Sequence, residues 1–249
     1  MQDTVALAAP RISPDAVDPR GWALDGGSQG KAYRTELSPL SFLRRSARVF
    51  PDKVAIVHGE RRTTYREFGE RVNRLASALR AAGVAPGDRV AFLAPNIPAL
   101  LEAHFGVPAV GAVLVAINTR LARHEVADIL DHCGARVVFC DHESLDLVEG
   151  LDLDVVRIDD TGTPEDPYEQ FLAGGSPVDV EVAPADEEDV ISINYTSGTT
   201  GHPKGVMYTH RGASLNALVR RCRPTCDQSR CCCGSCRCST ATAGASHGR

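Results

Sequence analysis

The chain has 249 residues, of which 43% are hydrophobic and 24% are charged, and its formal net charge is −5. This composition is typical of a folded protein with one large domain or two small ones. It contains no run approaching the roughly 18 apolar residues that span a membrane, and its N-terminus lacks the basic and apolar regions of a signal peptide. We therefore expect a cytoplasmic protein.

Charges and cysteines are distributed unevenly along the chain. Residues 220–249 hold six Arg and one Asp, whereas residues 1–219 hold 21 basic and 31 acidic side chains, a net charge of −10. An acidic body argues against nucleic acids or anionic membranes as the main partner. Seven of the nine cysteines also lie in residues 220–249. The other two, Cys133 and Cys140, are expected to be buried thiols in a reducing compartment.

In chain order, residues 1–35 form an extension that is rich in Pro, Gly, Asp and Ser. They have no apolar periodicity, so we expect them to be loosely ordered. Ser38 and Pro39 are typical of a helix start and precede a predicted helix at LSFLRRSARVF. Two short predicted strands follow, separated by a turn at residues 58–60.

Thr64 and Glu67 have the spacing of a capping box and predict the start of a second helix. This helix is expected to end at Gly83, because glycine commonly terminates helices. Its apolar side chains recur at helical spacing, which predicts one buried face. The predicted buried residues are Phe68, Val72, Leu75, Ala76 and Leu79.

Strand and helix patterns then alternate as far as residue 158. The predicted strands are 89–94, 112–117, 136–140 and a weaker one ending at 158, and the predicted helices are 97–111, 123–133 and 144–149. This alternation is typical of an α/β fold with a mainly parallel sheet and helices on both faces. A polar connector rich in Pro and Gly is expected at 159–189.

Residues 190–212 read VISINYTSGTTGHPKGVMYTHRG, a predicted strand followed by a loop of Thr, Ser, Gly and Lys. Glycines let backbone N–H groups turn toward an anion, hydroxyls add donors, and a lysine adds positive charge. The loop therefore predicts phosphate binding. The candidate residues are Thr196, Ser197, Gly198, Thr199, Thr200, Gly201 and Lys204.

Two common nucleotide-binding loops do not fit these residues. In G-x-x-x-x-G-K-[ST] the lysine follows a glycine and precedes a hydroxyl, whereas Lys204 precedes Gly205. The spacing of Gly198 and Gly201 also differs from that in G-x-G-x-x-G. The alternative to a phosphate site is a polar surface linker, since loops rich in Ser, Thr and Gly are common.

The run YTSGTTGHPKGV, followed by YTHRG, resembles the phosphate-binding signature of the adenylate-forming enzymes, which include acyl-CoA synthetases, luciferases and peptide-synthetase adenylation domains. Upstream, FPDKVAIVHGERRTTYREFGERVNRLASALRAAGVAPGDRVAFLAPN and GAVLVAINTRL are similar to the N-terminal lobe of that family. The resemblance covers residues 38–219 and implies a partial adenylation domain at 36–219.

This resemblance implies ATP-dependent activation of a carboxylic acid, with a fatty acid as the expected type. The acid would form an acyl-adenylate and pyrophosphate, and coenzyme A would then displace AMP to give a thioester. By position, the seven loop residues would hold the β- and γ-phosphates while Mg²⁺ shares the charge of the leaving pyrophosphate. Lys204 and Thr196 would be the catalytic residues, and ATP, Mg²⁺ and coenzyme A the cofactors.

Residues outside the loop allow simpler interpretations. His210 either helps to hold the nucleotide or is a packed, hydrogen-bonded histidine. Thr209 is predicted to cap the helix that follows, and Asn118 to stabilise a turn after its strand. The remaining body histidines show no regular ligand spacing, so we expect no metal site there; they are His58, His104, His124, His132 and His142.

The tail, residues 220–249, contains no Leu, Ile, Val, Met or aromatic residue and is expected to be disordered. Its cysteines, dense in CCCGSCRC, either bind a metal or result from out-of-frame translation of GC-rich DNA. The segment CRCSTATAGASHGR can be encoded by codons that, shifted by one base, read LPMFHCNGWCFPWA. That peptide resembles the family segment beyond the phosphate loop, so we expect a frame slip near Val219.

The family's adenine, ribose and hinge motifs and its C-terminal catalytic lysine have no counterpart in these 249 residues. We therefore expect the chain to be inactive, or nearly so, by itself. The alternatives are a non-catalytic nucleotide-binding remnant and a protein with a cysteine-rich, metal-binding tail.

Overall fold

The computed structural model describes residues 35–178, 186–196 and 203–221. The chain divides into two units, Met1–Glu36 and Leu37–Arg249, and all of the following helices and strands belong to the second. The helices are α1 (Leu40–Val49), α2 (Tyr65–Ala81), α3 (Pro98–Ala109), α4 (Arg123–Cys133), α5 (Pro167–Ala173) and α6 (His210–Arg221). The strands are β1 (Val54–His58), β2 (Arg61–Thr64), β3 (Arg89–Leu93), β4 (Val113–Ile117), β5 (Ala135–Asp141), β6 (Asp154–Ile158), β7 (Val190–Thr196) and β8 (Lys204–Thr209). A short 3₁₀-helix, His142–Leu147, follows β5.

Among the described residues, six strands form one sheet in the order β6-β5-β3-β4-β7-β8, and β1 pairs with β2 in a separate hairpin. Neighbouring strands are parallel from β6 to β7, and β8 returns antiparallel to β7 at the edge. The predicted α/β fold with a mainly parallel sheet is confirmed. Strand β8 is not predicted from the sequence, because its segment KGVMYT continues directly from a loop rich in Gly and Thr.

Successive residues of β3 face opposite sides of the sheet, and each side carries its own apolar core. Val90 and Phe92 pack with residues of α1, α2, α3 and α5, whereas Ala91 and Leu93 pack with residues of α4. Phe92 also stacks on Phe139 of β5, with ring centroids 4.4 Å apart. Both faces are therefore covered, as near-continuous apolar strands require.

The predicted capping box of α2 is confirmed. The Thr64 hydroxyl oxygen accepts a hydrogen bond from the Glu67 amide at 3.3 Å, and the Thr64 amide donates to the Glu67 carboxylate at 2.7 Å. The Thr64 hydroxyl also donates to this carboxylate, at 2.9 Å, and the two hydrogen bonds that the carboxylate accepts from Thr64 lower the pKa of Glu67. The five predicted apolar residues are all buried. Just beyond the helix, Gly83 has a φ of +80°, a conformation that favours glycine.

The predicted polar connector at 159–189 is wrong in one part, because it contains helix α5. Asp166 caps this helix by accepting a hydrogen bond from the Tyr168 amide at 3.0 Å, and Pro167 occupies the first helical position. Tyr168 and Leu172 are buried in the core. Seven residues are too few to show apolar periodicity, although Asp-Pro is typical of a helix start.

A buried ion-pair network joins α5 to α2 and α3. The Glu102 carboxylate, which is fully buried, accepts hydrogen bonds from Nε of Arg71 at 2.5 Å and from the Tyr168 hydroxyl at 2.7 Å. Arg71 also donates to both carboxylate oxygens of Glu169, at 2.7 and 2.8 Å. Burial raises the pKa of Glu102, and the charge of Arg71 acts in the opposite direction.

Of the helices that the structure describes, none is long and apolar enough to cross a membrane.

Candidate functional site

The predicted phosphate-binding loop joins β7 to β8 at the edge of the sheet. β7 ends at Thr196 and β8 begins at Lys204, and these two residues are paired across the antiparallel ladder. Both residues that we predict to be catalytic therefore flank the same loop. The other predicted loop residues lie outside the described part of the chain; they are Ser197, Gly198, Thr199, Thr200 and Gly201.

The loop follows the carboxyl end of a parallel strand. β7 runs parallel to β4, with Ala116 opposite Asn194, so β4 and β7 end at the same edge of the sheet. Ligands of open α/β sheets bind outside this edge. Asn118 also lies there, directly after β4, and its side-chain oxygen accepts a hydrogen bond from the Arg120 amide at 3.0 Å. Asn118 thus stabilises a turn, as predicted.

The Lys204 side chain is exposed. Within residues 35–178, 186–196 and 203–221, it has no hydrogen-bond or ion-pair partner. Thr196, opposite it in the ladder, is also exposed. An exposed ammonium group at the end of such a loop is available to an anionic ligand as far as the described residues are concerned.

Gly205, directly after Lys204, lies where a larger residue does not fit. A Cβ atom at this position would be 2.8 Å from Cγ2 of Ile193 and 3.4 Å from Cζ of Tyr195, both on β7. The glycine therefore permits the close approach of β7 and β8 that holds the two ends of the loop together. The sequence analysis does not predict this role. The signal that could have indicated it is the glycine directly after the lysine of the motif.

His210 is a packed, hydrogen-bonded residue. It is 3% exposed, and its Nδ1 shares a 3.0 Å hydrogen bond with the Ser38 hydroxyl. Burial lowers the pKa of His210, which favours the neutral ring. The His210 amide donates to the Asp189 carbonyl at 3.1 Å, so the start of α6 is tied to the residue before β7. Thr209 caps α6 as predicted, accepting a hydrogen bond from the Gly212 amide at 3.1 Å.

The two body cysteines are buried free thiols, as predicted. Burial raises the pKa of Cys133 and also that of Cys140, the latter to about 12. Because the thiolate is the reactive form, neither is suited to nucleophilic chemistry near neutral pH.

A protein-bound metal ion needs several ligating side chains close together. Among the described residues, no group of three or more His, Cys, Asp or Glu could hold one. The seven tail cysteines lie outside the described residues, so the metal-binding interpretation of the tail remains a prediction.

Comparison with known proteins identifies the family. The profile of the family described as AMP-binding enzyme matches residues 43–237. The chain is 43% identical over 211 residues to the peroxisomal acetate/butyrate–CoA ligase AAE7 of Arabidopsis thaliana, an alignment covering 75% of this chain and 37% of the relative. It is 35% identical over 219 residues to 4-hydroxybutyrate–CoA ligase 2 of Metallosphaera sedula, which covers 82% of this chain and 38% of that protein.

A solved structure supports the same assignment. The anthranilate CoA ligase AuaEII, crystallised with anthranoyl-AMP, matches with a TM-score of 0.68 and 30% identity over 74% of this chain and 37% of that one. The chain thus spans little more than a third of the length of these relatives. It belongs to the AMP-binding enzyme family and has the fold of the N-terminal lobe of adenylate-forming enzymes.

Proposed function

We propose that the chain supplies the phosphate-binding part of an ATP-dependent acid–CoA ligase. One observation carries this proposal: the exposed, unpartnered Lys204 and the exposed Thr196, within the described part of the chain, flank a Gly- and hydroxyl-rich loop at the ligand-binding edge of the sheet. The relatives compared above support the reaction class, since each of them is named as a CoA ligase.

The proposed reaction has two steps. A carboxylate oxygen of the acid attacks the α-phosphorus of ATP, and the bond from that phosphorus to the bridging oxygen of the β-phosphate breaks, which releases pyrophosphate. The thiol of coenzyme A then loses its proton and attacks the acyl carbonyl carbon, and AMP leaves. Negative charge grows on the pyrophosphate in the first step, where Lys204, Thr196 and the loop N–H groups would stabilise it.

Within this proposal, each predicted loop residue has a defined task. Gly198 and Gly201 let the backbone approach the phosphates, and the hydroxyls of Ser197, Thr199 and Thr200 donate to phosphate oxygens. Mg²⁺ would enter as the partner of ATP and share the charge of the leaving pyrophosphate.

The acid is the least constrained part of the proposal. We propose a fatty acid, and the names of two relatives specify short aliphatic acids, while that of the structural neighbour specifies an aromatic one. An ATP–pyrophosphate exchange assay with acetate, butyrate, octanoate and benzoate separates these classes, and it uses the longer protein obtained by restoring the reading frame near Val219. Exchange that depends on octanoate or a longer acid supports the proposal, whereas exchange with benzoate alone contradicts it.

The same assay tests whether the chain acts alone. We propose that it binds ATP but does not catalyse exchange. The adenine, ribose and hinge motifs of the family position the reacting groups, and a chain without counterparts of these motifs lacks most of the rate enhancement. ATP binding without exchange supports this, and acid-dependent exchange by the 249-residue chain contradicts it. Tight stoichiometric zinc binding would instead favour the alternative of a metal-binding tail.

We also propose a cytoplasmic location, because the buried free thiols of Cys133 and Cys140 fit a reducing compartment. One relative, AAE7, is named as a peroxisomal enzyme. Fluorescence imaging of the tagged chain in its own cells distinguishes a diffuse cytoplasmic signal, which supports the proposal, from an organellar one, which contradicts it.

A further inference from the structure

A side chain of the neighbouring helix α4 contacts β7 directly before the loop. His132, in the last turn of α4, shares a 2.7 Å hydrogen bond through its Nδ1 with the hydroxyl of Tyr195. The two rings meet edge to face, with centroids 5.7 Å apart and planes at 88°. We name this arrangement the His132–Tyr195 contact. It joins residues that lie 63 positions apart in the chain.

Tyr195 lies at the point where the two strands of the hairpin meet the loop. It directly precedes Thr196, and it is paired across the ladder with Gly205, the neighbour of Lys204. Its ring lies against Gly205, because a Cβ there would contact Cζ of Tyr195 at 3.4 Å. Tyr195 therefore touches both strands where the loop leaves β7 and enters β8.

The ring of Tyr195 is also held by apolar packing. The side chain is half-buried and packs against the apolar core between the sheet and α4. Partial burial raises the pKa of Tyr195, so the phenol keeps its proton. The ring is thus held by packing on one side and by His132 at its hydroxyl, while Thr196 and Lys204 beside it are exposed.

We propose that His132 and Tyr195 are positioning residues that hold Thr196 and Lys204, the two described ends of the phosphate-binding loop, in register with each other. Neither touches the phosphates; both act through the β7–β8 hairpin. A loop whose ends are already fixed loses less conformational freedom when it binds a polyanion, so its affinity is higher. This inference rests on the proposed function, because it requires the loop to bind phosphate.

The test uses the 249-residue chain and inorganic tripolyphosphate as the probe. Affinity is measured by titration calorimetry and the melting temperature by circular dichroism. Tyr195→Phe keeps the ring against Gly205 and removes only the hydroxyl, and His132→Ala removes its partner. We expect each variant to bind tripolyphosphate about three- to tenfold more weakly, the effect of losing one hydrogen bond. The double variant should bind no more weakly than either single one, because both remove the same contact.

Two further variants exclude a general effect of changing α4. His132→Asn places an amide where Nδ1 lies and should bind within about twofold of wild type, since it can restore the hydrogen bond. His124→Ala changes another exposed histidine of the same helix and should have no effect.

The outcomes separate this inference from the proposed function. If Lys204→Ala leaves the affinity unchanged, or if the wild-type chain does not bind tripolyphosphate, the proposed function fails and the inference fails with it. If Lys204→Ala weakens binding while Tyr195→Phe and His132→Ala bind as wild type, only the inference is overturned. A lower melting temperature with unchanged affinity would assign the contact to stability alone and would likewise overturn it.

Discussion

Replacing Arg71 with alanine should remove a large part of the stability of the fold. Glu102 is fully buried. After the change, the Tyr168 hydroxyl is the one hydrogen-bond donor to its carboxylate that remains among the described residues. It also removes both hydrogen bonds to Glu169. Removing one partner of a buried ion pair typically costs about 3–5 kcal/mol. A domain has a total stability of about 5–15 kcal/mol, so the variant should lose between about a fifth and all of its stability.

The loss should depend on pH in a defined direction. Burial raises the pKa of Glu102 in the folded protein, and the absence of Arg71 raises it further because a favourable positive charge is gone. A carboxyl group whose pKa is higher in the folded state binds its proton more tightly there. The free energy of unfolding therefore increases as the pH falls through that raised pKa toward the unfolded value of about 4.3. Arg71→Ala should recover part of its deficit on acidification.

Urea unfolding followed by circular dichroism measures this effect at about pH 7.5 and about pH 5. Arg71→Ala combined with Glu102→Gln removes the buried charge and should be more stable than Arg71→Ala alone at the higher pH. Arg62→Ala, which changes an exposed arginine of β2, should shift stability by less than about 0.5 kcal/mol. A cost below about 1 kcal/mol for Arg71→Ala, or a cost that grows as the pH falls, would refute the reasoning.

Three further predictions concern the β7–β8 hairpin, α6 and the gene. Gly205→Ala should destabilise the fold by about 1–3 kcal/mol in urea unfolding, because its Cβ would lie 2.8 Å from Ile193, and wild-type stability would contradict that close approach. Burial lowers the pKa of His210, so the wild-type free energy of unfolding should fall as the pH drops below about 6.5 toward that lowered value. His210→Gln should lack this component, and identical pH profiles for the two proteins would argue against it. For the tail, DNA sequencing should find the codons that regroup to LPMFHCNGWCFPWA, followed in that frame by a few hundred further codons, and an early stop codon would end the frame-slip hypothesis.

The sequence predicted the parts of the fold whose signals are local. The capping box at Thr64 and Glu67, the buried face of α2 and the alternating strands needed only periodicity and end signals, and each was found close to its predicted position. The end of α3 at Ala109 rather than residue 111 is an ordinary boundary difference. The predicted helix at 144–149 is instead the 3₁₀-helix His142–Leu147, which is capped by Asp141.

The elements that the sequence missed depend on distant partners. Helix α5 has only seven residues, and Tyr168 and Glu169 are held in place by Glu102 and Arg71, which are far away in the chain. Strand β8 exists through its pairing with β7, which a run as short as KGVMYT does not reveal. The His132–Tyr195 contact likewise joins two separate elements, so no spacing in the sequence indicates it.

The sequence predicts which residue types form the candidate site but not how they are arranged. A motif with Gly, Ser, Thr and Lys identified Thr196 and Lys204, and the structure places them in register at the two ends of the loop. The close approach at Gly205 depends on Ile193 and Tyr195 across the ladder and required the folded hairpin. The roles of Ser197 to Gly201 remain predictions, because these residues lie outside the described part of the chain.

Titration of the 249-residue chain with ATP tests the proposed phosphate site most directly, through a comparison of Lys204→Ala with Lys53→Ala. Lys53 is a matched control, because it is an exposed lysine on the short segment before β1, where its ammonium lies 5.9 Å from the ring centroid of Phe50. We expect Lys204→Ala to weaken ATP binding about tenfold or more, the usual effect of losing a charge-assisted hydrogen bond, while Lys53→Ala binds as wild type. Equal affinities in all three proteins, or no ATP binding by the wild-type chain, would contradict a phosphate-binding role for this loop.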